Sequence, residues 1–540
     1  MRVQTGRWFL HSLLSLCGLC GLCGEKLFSA PPAITSLYPA GAQRGTTVEV
    51  SATGTLDAST KVWASSKSVS VEVVKGKLKV TVAKDAVPGV CWLRAYDDDG
   101  ASGLRPFIVG MLPEVTEKEP NDDFKKPHVL ASSSVAVNGK LEKVGDVDCF
   151  AVTLKKGQTL VAALEANHTL RSPTDGILQI LSADGFVLDE NNDFHGLDPQ
   201  IAFTAKKDGT YIARVYAFPA TPNSSIAFFG SEACVYRLTL TTGAFADYSL
   251  PLAIGPDRLT VWPEGWNLGD VPMVLDAPAR VPGEPLATLF DARVANPLRL
   301  RVEPHHTTVR LIDDKPAPPL TPPVSVSSRI EKSKGTPNIE FRGKKGQTLS
   351  IQVESRSLGL AVNPVVRVLD AEGKQLARAE PAKIGGDTVL PFAPPADGVY
   401  NVTVEDLYGG SGPRHAFLVR ILSEPDYDLS VTADRFTITP GKPTTVAVKV
   451  TRVRGFNKPI EITAEGLPEG VTVETTQPAK PDPNTVTLSF TTEKPWSGSF
   501  RLVGQVKDEP KLTRVVRAPL AEFDTTTADL WLAVTPPAKK

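Results

Sequence analysis

The chain has 540 residues, several times the length of an ordinary domain, so three to five independently packed units are expected rather than one. Its 59 Lys and Arg nearly cancel its 60 Asp and Glu, leaving a net charge of −1 with no strongly basic half, which excludes nucleic acid as a partner. Gly (42) and Pro (46) recur without a collagen-like period, and short alternating runs rich in Val and Thr lie between them, the pattern of an all-β protein.

The first element is a leader. Arg2 and Arg7 precede an apolar run from Trp8 to Leu22, with small residues following at Gly24, Ser29 and Ala30. Charge, hydrophobe and small residue in that order make residues 1–30 a secretory signal peptide, and the remainder is expected to be secreted, periplasmic or at the cell surface. Cys17, Cys20 and Cys23 each follow a leucine where a lipobox wants a small residue, which argues against lipid attachment. No later stretch reaches about 18 consecutive apolar residues, so no membrane span is expected. Beyond the leader stand Cys91, Cys149 and Cys234. Two readings are open for them: a Cys149–Cys234 disulfide inside one unit, which an oxidising compartment permits, or buried free thiols acting as small hydrophobes.

Residues 31–112 carry strands at Thr47–Ser51, Ser70–Val74, Leu78–Val82 and Val90–Tyr96, the spacing of an Ig-like sandwich. Its opening, PAITSLYPAGAQRGTTVEVSATG, resembles the IPT/TIG class of Ig-like domains. Residues 114–243 begin EKEPNDDF (Glu117 to Phe124) and continue with VNGKLEKVGDVDCFAVTLKKGQTL (Val137 to Leu160), ADGFVLDENND (Ala183 to Asp193) and KDGTYIARV (Lys207 to Val215). These ordered motifs resemble the bacterial pre-peptidase C-terminal domain, which implies a jelly-roll-like β-sandwich related to the collagen-binding domains of clostridial collagenases.

An internal repeat follows. A shift of 189 positions lays KKGQTL at Lys155–Leu160 on KKGQTL at Lys344–Leu349, and ADGVYNVTV (Ala396 to Val404) corresponds to KDGTYIARV. Residues 325–424 are therefore expected to be a second sandwich of the same type. Between the copies, residues 244–324 are Pro-rich with a possible small Ig-like element around WPEGWNLG (Trp262 to Gly269), and the run Pro316–Pro323 reads as an extended linker. Residues 427–536 show five short strands, from Phe436–Ile438 to Thr485–Phe490, of a terminal Ig-like module. The expected architecture is all-β, a tandem of Ig-like and jelly-roll-like β-sandwich modules. This arrangement resembles large exported proteins of planctomycete-type bacteria.

The chemistry-bearing residues are few. Glu117, Glu119, Asn121 and Asp122 form E-x-E-x-N-D, and Asp146 with Asp148 form D-x-D before the next strand. A hard cation takes six to eight oxygen ligands from carboxylates and amides of this kind, and the resemblance to the collagen-binding domains implies calcium at these six residues. The alternative is an Asx-turned loop followed by a strand end. In the second copy Asp146 and Asp148 correspond to Gly335 and Pro337, so no metal is expected there. The acidic loop Asp189–Asp198 lacks the glycine and closing Glu of an EF-hand and reads as a hairpin loop. Adjacent His305 and His306 point to opposite strand faces, make a poor ligand pair and read as surface residues. Asp406, Ser411 and His415 supply the three residue types of a hydrolytic triad but sit in a Gly-rich loop without a nucleophile elbow. No zinc, haem, P-loop or dinucleotide motif occurs.

Two functions fit: an exported non-catalytic scaffold whose modules recognise protein or polysaccharide, or an accessory subunit that targets or stabilises an exported protease or other hydrolase.

Overall fold

Alternation of apolar and polar residues drives every unit of this chain into strands, because one face of each strand must be removed from water. The computed structural model describes residues 30–535 apart from 225, 257–259, 270–272, 275–284, 313–314, 316, 332–336, 477–481 and 509–510. The expected leader, but for Ala30, lies outside the described residues, and so do Cys17, Cys20 and Cys23. No described helix is long and apolar enough to cross a membrane.

Five two-sheet modules follow one another. In module 1 one sheet runs Ala33–Tyr38, Thr47–Thr55, Lys77–Val82, Val69–Val74, and the other Gly41–Gln43, Arg105–Gly110, Gly89–Tyr96, Lys61–Ala64. Strand Lys77–Val82 alternates exposed and buried, with Leu78, Val80 and Val82 facing a core that includes Val50, Leu93 and Phe107. Module 2 pairs a sheet of His128–Val129, Asp148–Leu154, Gly209–Pro219, Thr174–Ser182, Val187–Asn191 with one of Gln200–Thr204, Thr159–Glu165, Val235–Thr241, Ser134–Lys140, Glu114–Thr116. Module 5 has the same two-layer plan, built on Thr444–Val453 with Thr485–Thr491 and on Leu530–Val534 with Ser497–Gln505.

Module 4 reproduces module 2 strand for strand except at one edge, where a single bridge at Leu320 stands in for strand His128–Val129. Its sheets run Ile339–Gly343, Gly398–Asp406, Pro364–Leu369, Gln375–Ala379 and His306–Val309, Val324–Arg329, Ala416–Leu422, Leu349–Glu354, Thr388–Phe392. The repeat register extends to individual hydrogen bonds. Asp208 Oδ1 accepts from Lys156 N and Asp397 Oδ1 from Lys345 N, each at 2.7 Å. The hydroxyl of Tyr211 donates to Lys207 O, and that of Tyr400 to Ala396 O. Because His306–Val309 pairs in parallel with Val324–Arg329, the module begins before its Pro-rich stretch. Leu320 bridges Phe341 as His128 pairs with Phe150, so residues 317–323 run along a sheet edge inside the module instead of linking two modules.

Module 3 is likewise a shortened copy of module 1. Phe245–Leu250 pairs with Thr260–Trp266 through a bulge between Ala246 and Tyr248, matching the bulge between Ile34 and Ser36. At that bulge the facing backbone comes so close that a Cβ on Gly54 would lie 2.0 Å from Ala33 O, and one on Gly265 2.2 Å from Phe245 O, so only glycine fits. The short strands Gly41–Gln43 and Ala253–Ile254 then pair in parallel with the last strand of their modules. The chain is thus two copies of a two-module unit, modules 1–2 and modules 3–4, followed by module 5.

The units are not strung out. Arg94 of module 1, buried, pairs with Asp434 of module 5, and Trp531 packs edge-on to Trp63 with ring centroids 6.0 Å apart and against Tyr96 at 4.9 Å. Arg414 of module 4 donates to Asp247 of module 3 at 2.8 Å and to Phe194 O of module 2 at 3.1 Å, its guanidinium 3.9 Å from the Phe194 ring centroid.

The thiols are settled by strand alternation: Cys91, Cys149 and Cys234 are all buried and free. Cys149 lies on the outer face of its sheet with Ala151, Leu181 and Ile212, whereas Cys234 belongs to the interior core with Tyr236 and Leu238. The Cys149–Cys234 pairing is therefore ruled out in favour of the free-thiol reading. His305 is also not a surface residue: its side chain is 11% exposed and Nε2 lies 3.0 Å from Ser325 Oγ.

Candidate metal centre

The polar end of module 2 is built by three neighbouring pieces of chain. After strand Glu114–Thr116, the N–H of Glu117 is held by Asn138 O at 3.0 Å, which fixes where the Glu117 side chain enters the sandwich. The loop then returns to strand Asp148–Leu154, where Cys149 N donates to Asn121 O at 3.1 Å. On that strand Phe150, Val152 and Leu154 enter the core, and period-two alternation sends Asp148 to the same interior side. A carboxylate is thereby buried at the mouth of an apolar sandwich.

Oxygen atoms converge there. Glu117, Glu119 and Asp148 each place a carboxylate oxygen within 4.8 Å of the others. Asn121, fully buried, sets its side-chain amide against two of these groups; with its nitrogen turned inward it donates to Glu119 Oε1 at 3.2 Å and Asp148 Oδ1 at 2.9 Å. Turned the other way, its oxygen completes a cluster made of oxygen alone. Tyr236, from the opposite sheet, donates to Asp148 Oδ2 at 2.6 Å and lies 3.2 Å from Glu117 Oε2. Lys140 N donates to Glu117 Oε1 at 2.6 Å.

The electrostatics are those of uncompensated negative charge. Burial pushes the Asp148 carboxyl well above its ordinary range, and repulsion from Glu117 adds to it. Glu117 is raised by burial against the pull of the Lys140 N–H and the Tyr236 hydroxyl. Asp146 is raised by burial too, and its Oδ1, fully shielded from solvent, has no hydrogen-bond partner. Lys143 places its Nζ 3.8 Å from Asp146 and 3.9 Å from Asp122. Of the six residues expected from the sequence, Glu117, Glu119, Asn121 and Asp148 form the inner group. Asp146 stands beside it as a buried acceptor, and Asp122 points its half-exposed side chain toward Lys143.

The residues fit a hard divalent cation. The donors are carboxylate and amide oxygens, they are preplaced by backbone hydrogen bonds, and one buried acceptor has no donor of its own. Sequence reasoning missed Tyr236, because a tyrosine 88 residues beyond Asp148 and 119 beyond Glu117 carries no spacing signal.

The second copy shows what the fold itself requires. Val115 pairs with Val137 and Thr308 with the equivalent Val326, so the residue two positions on, Glu117, is matched by Arg310. The Arg310 N–H is held by Ser327 O at 3.0 Å, as that of Glu117 is by Asn138 O. Asp148 is matched by Pro337 and Tyr236 by Phe417. Acid, acid and hydroxyl are replaced together by base, imide and bare ring, and the sandwich still forms.

The other sequence candidates are structural. Asp406 Oδ1 accepts from Asn363 N at 2.8 Å and its Oδ2 from Tyr408 N and Gly410 N at 3.0 and 2.8 Å, so its carboxylate orders the loop instead of orienting His415. In the acidic loop, buried Asp198 accepts from the N–H groups of Ala166, Asn167 and His168 at 2.7 to 3.0 Å.

Residues 146–217 match the bacterial pre-peptidase C-terminal domain. A subtilase-type serine protease of Deinococcus radiodurans is 27% identical over 121 residues, and the match covers 21% of this chain and 17% of the protease. Among solved structures, six domains of the surface layer protein SbsC align over 94% of this chain and 55% of theirs, at 12% identity and a TM-score of 0.16. A Bacteroides ovatus mixed-linkage glucan utilisation protein, SGBP-B, aligns over 72% of this chain and 74% of its own, at 9% identity and a TM-score of 0.15. At those TM-scores the structural alignments carry no argument about function.

Proposed function

We propose that this chain is an exported, non-catalytic binding scaffold whose β-sandwich modules present a surface to protein or polysaccharide, with calcium held in module 2 by Glu117, Glu119, Asn121 and Asp148 and flanked by Asp146 and Asp122. The observation that carries the reading is the contrast between the two copies. Module 4 reaches the same fold with Arg310, Pro337 and Phe417, so the buried acidic cluster of module 2 is kept for something other than folding. A bound cation would supply positive charge to those carboxylates and hold them together. The candidate triad residue Asp406 is saturated by backbone amides, which leaves it no role in orienting a base.

A cation that binds only the folded protein must raise its stability. Unfolding followed with millimolar calcium and with chelator is expected to differ by several degrees, and Asp148→Asn to remove the difference; coincident curves overturn the calcium assignment. Retention of the full chain on matrix protein or polysaccharide tests the scaffold reading. A hydrolase recovered in equal amount from the exported fraction favours instead the accessory-subunit alternative, which the similarity to a protease supports.

A further inference from the structure

Resting on the calcium reading above, we infer that the cation site is also a clamp between modules 1 and 2, so that calcium sets the stiffness of the first joint in the chain while the second joint is fixed without it.

The joint and the site share an atom. Glu117 Oε1 accepts from Tyr38 Oη of module 1 at 3.3 Å, on the same oxygen that takes the Lys140 N–H of module 2. Tyr38 is the last residue of strand Ala33–Tyr38, and its ring lies 5.4 Å from Lys140 Nζ. Two residues on, Ala40 N donates to Asn138 Oδ1 at 3.1 Å, and Asn138 O is the group that holds the Glu117 N–H. Module 1 therefore touches module 2 through the residues that carry the ligand. With the cation bound, Glu117 stays at the sandwich mouth and keeps its bond to Tyr38. Without it, buried Glu117 and Asp148 and exposed Glu119 repel one another at close range, and the loop that leads out from Glu117 through Glu119 loses the charge that holds it in place.

The second unit is the internal control. Leu250 stands where Tyr38 does, Arg310 where Glu117 does, and the backbone tie survives as Leu252 N donating to Ser327 Oγ at 2.8 Å. That joint is closed by an apolar cluster of Tyr248, Leu250, Leu252, Ala253, Ala416 and Leu418, which needs no ion. One ancestral joint has become cation-dependent in one unit and hydrophobic in the other.

Hydrogen–deuterium exchange of the full chain, at calcium in excess of its measured Kd and in chelator, tests this. Calcium is expected to slow exchange about tenfold in residues 34–44 of module 1 as well as in 114–122 of module 2, the worth of a hydrogen bond to a charged group. Residues 246–256 and 306–310 should exchange alike in both conditions. Tyr38→Phe, which keeps the ring, should lose the effect in 34–44 and retain it in 114–122. Absence of calcium binding by calorimetry overturns the calcium reading itself. Binding with protection confined to 114–122 in the unmodified chain overturns the clamp and leaves the site standing, as does a Tyr38→Phe chain that still protects 34–44.

Discussion

Tyr236 spans the two sheets of module 2 and hands one hydroxyl to two acids, an arrangement affordable only because Gly139 opposite it has no side chain: a Cβ there would lie 2.2 Å from Tyr236 Cζ. Removing the hydroxyl takes a donor from both carboxylates, the one on Asp148 coming from the opposite sheet. Tyr236→Phe is expected to weaken calcium binding by about tenfold or more in calorimetric titration, the usual cost of losing a group that orients ligands. A second residue-scale effect concerns His195. Burial, with Arg414 beside it, pushes its imidazole down to about 3. The unfolded chain therefore takes up a proton below about pH 6.5 that the folded chain refuses until about pH 3, and stability falls with acid across that window by up to ~1.4 kcal/mol per pH unit. In His195→Gln the urea midpoint should fall less between pH 7 and pH 4 than in the unmodified chain; an equal fall would remove His195 as the group responsible.

At the scale of elements, two carboxylates perform the same task in the two copies. Asp198 caps the turn at Ala166–His168, and Asp387 accepts from Ser355 N and Arg356 N at 2.9 and 2.8 Å. Asp198→Ala and Asp387→Ala should each cost roughly 2–3 kcal/mol by chemical denaturation, since several amide donors lose a charged or strongly polar acceptor at once. Such features explain what could be read from the sequence. The KKGQTL turns, the D-G-x-Y motifs and the 189-residue register survive because the same hydrogen bonds are needed twice. Among the described residues, four of the eight strands of module 1 and five of the eleven of module 5 were legible from alternation alone. The kinship of modules 1 and 3 was not, since the bulge glycines Gly54 and Gly265 are demanded by geometry while the other residues of the shared strands are free to vary. The Arg310 replacement was hidden for a different reason: a four-residue insertion shifts the register ahead of the Pro-rich edge. The cysteines were left open between two readings because spacing places two thiols in one module but does not say which face of a sheet each occupies.

At the scale of the molecule, the five modules close on themselves where module 1 meets module 5. Arg94 is fully buried there, paired with Asp434 and lying over Trp531, with its guanidinium carbon 5.5 Å from the ring centroid. Removing one partner of such a pair leaves the other buried without its counter-charge. Asp434→Ala should detach module 1 from module 5 and raise the radius of gyration in small-angle scattering, with the circular dichroism of the β-sheet unchanged; an unaltered scattering profile would show that the aromatic contacts suffice alone.

That contact joins residues 340 positions apart, and Arg105 with Glu522 at the same interface joins residues 417 apart. Each module can collapse from neighbouring hairpins as soon as its own strands exist, but this meeting must wait for the final strand, Leu530–Val534. Assembly thus has an order written into it. The face of module 1 bearing Trp63, Trp92 and Tyr96 is finished first and covered last, and for the whole time of synthesis it is an adhesive surface that something else must shield or tolerate.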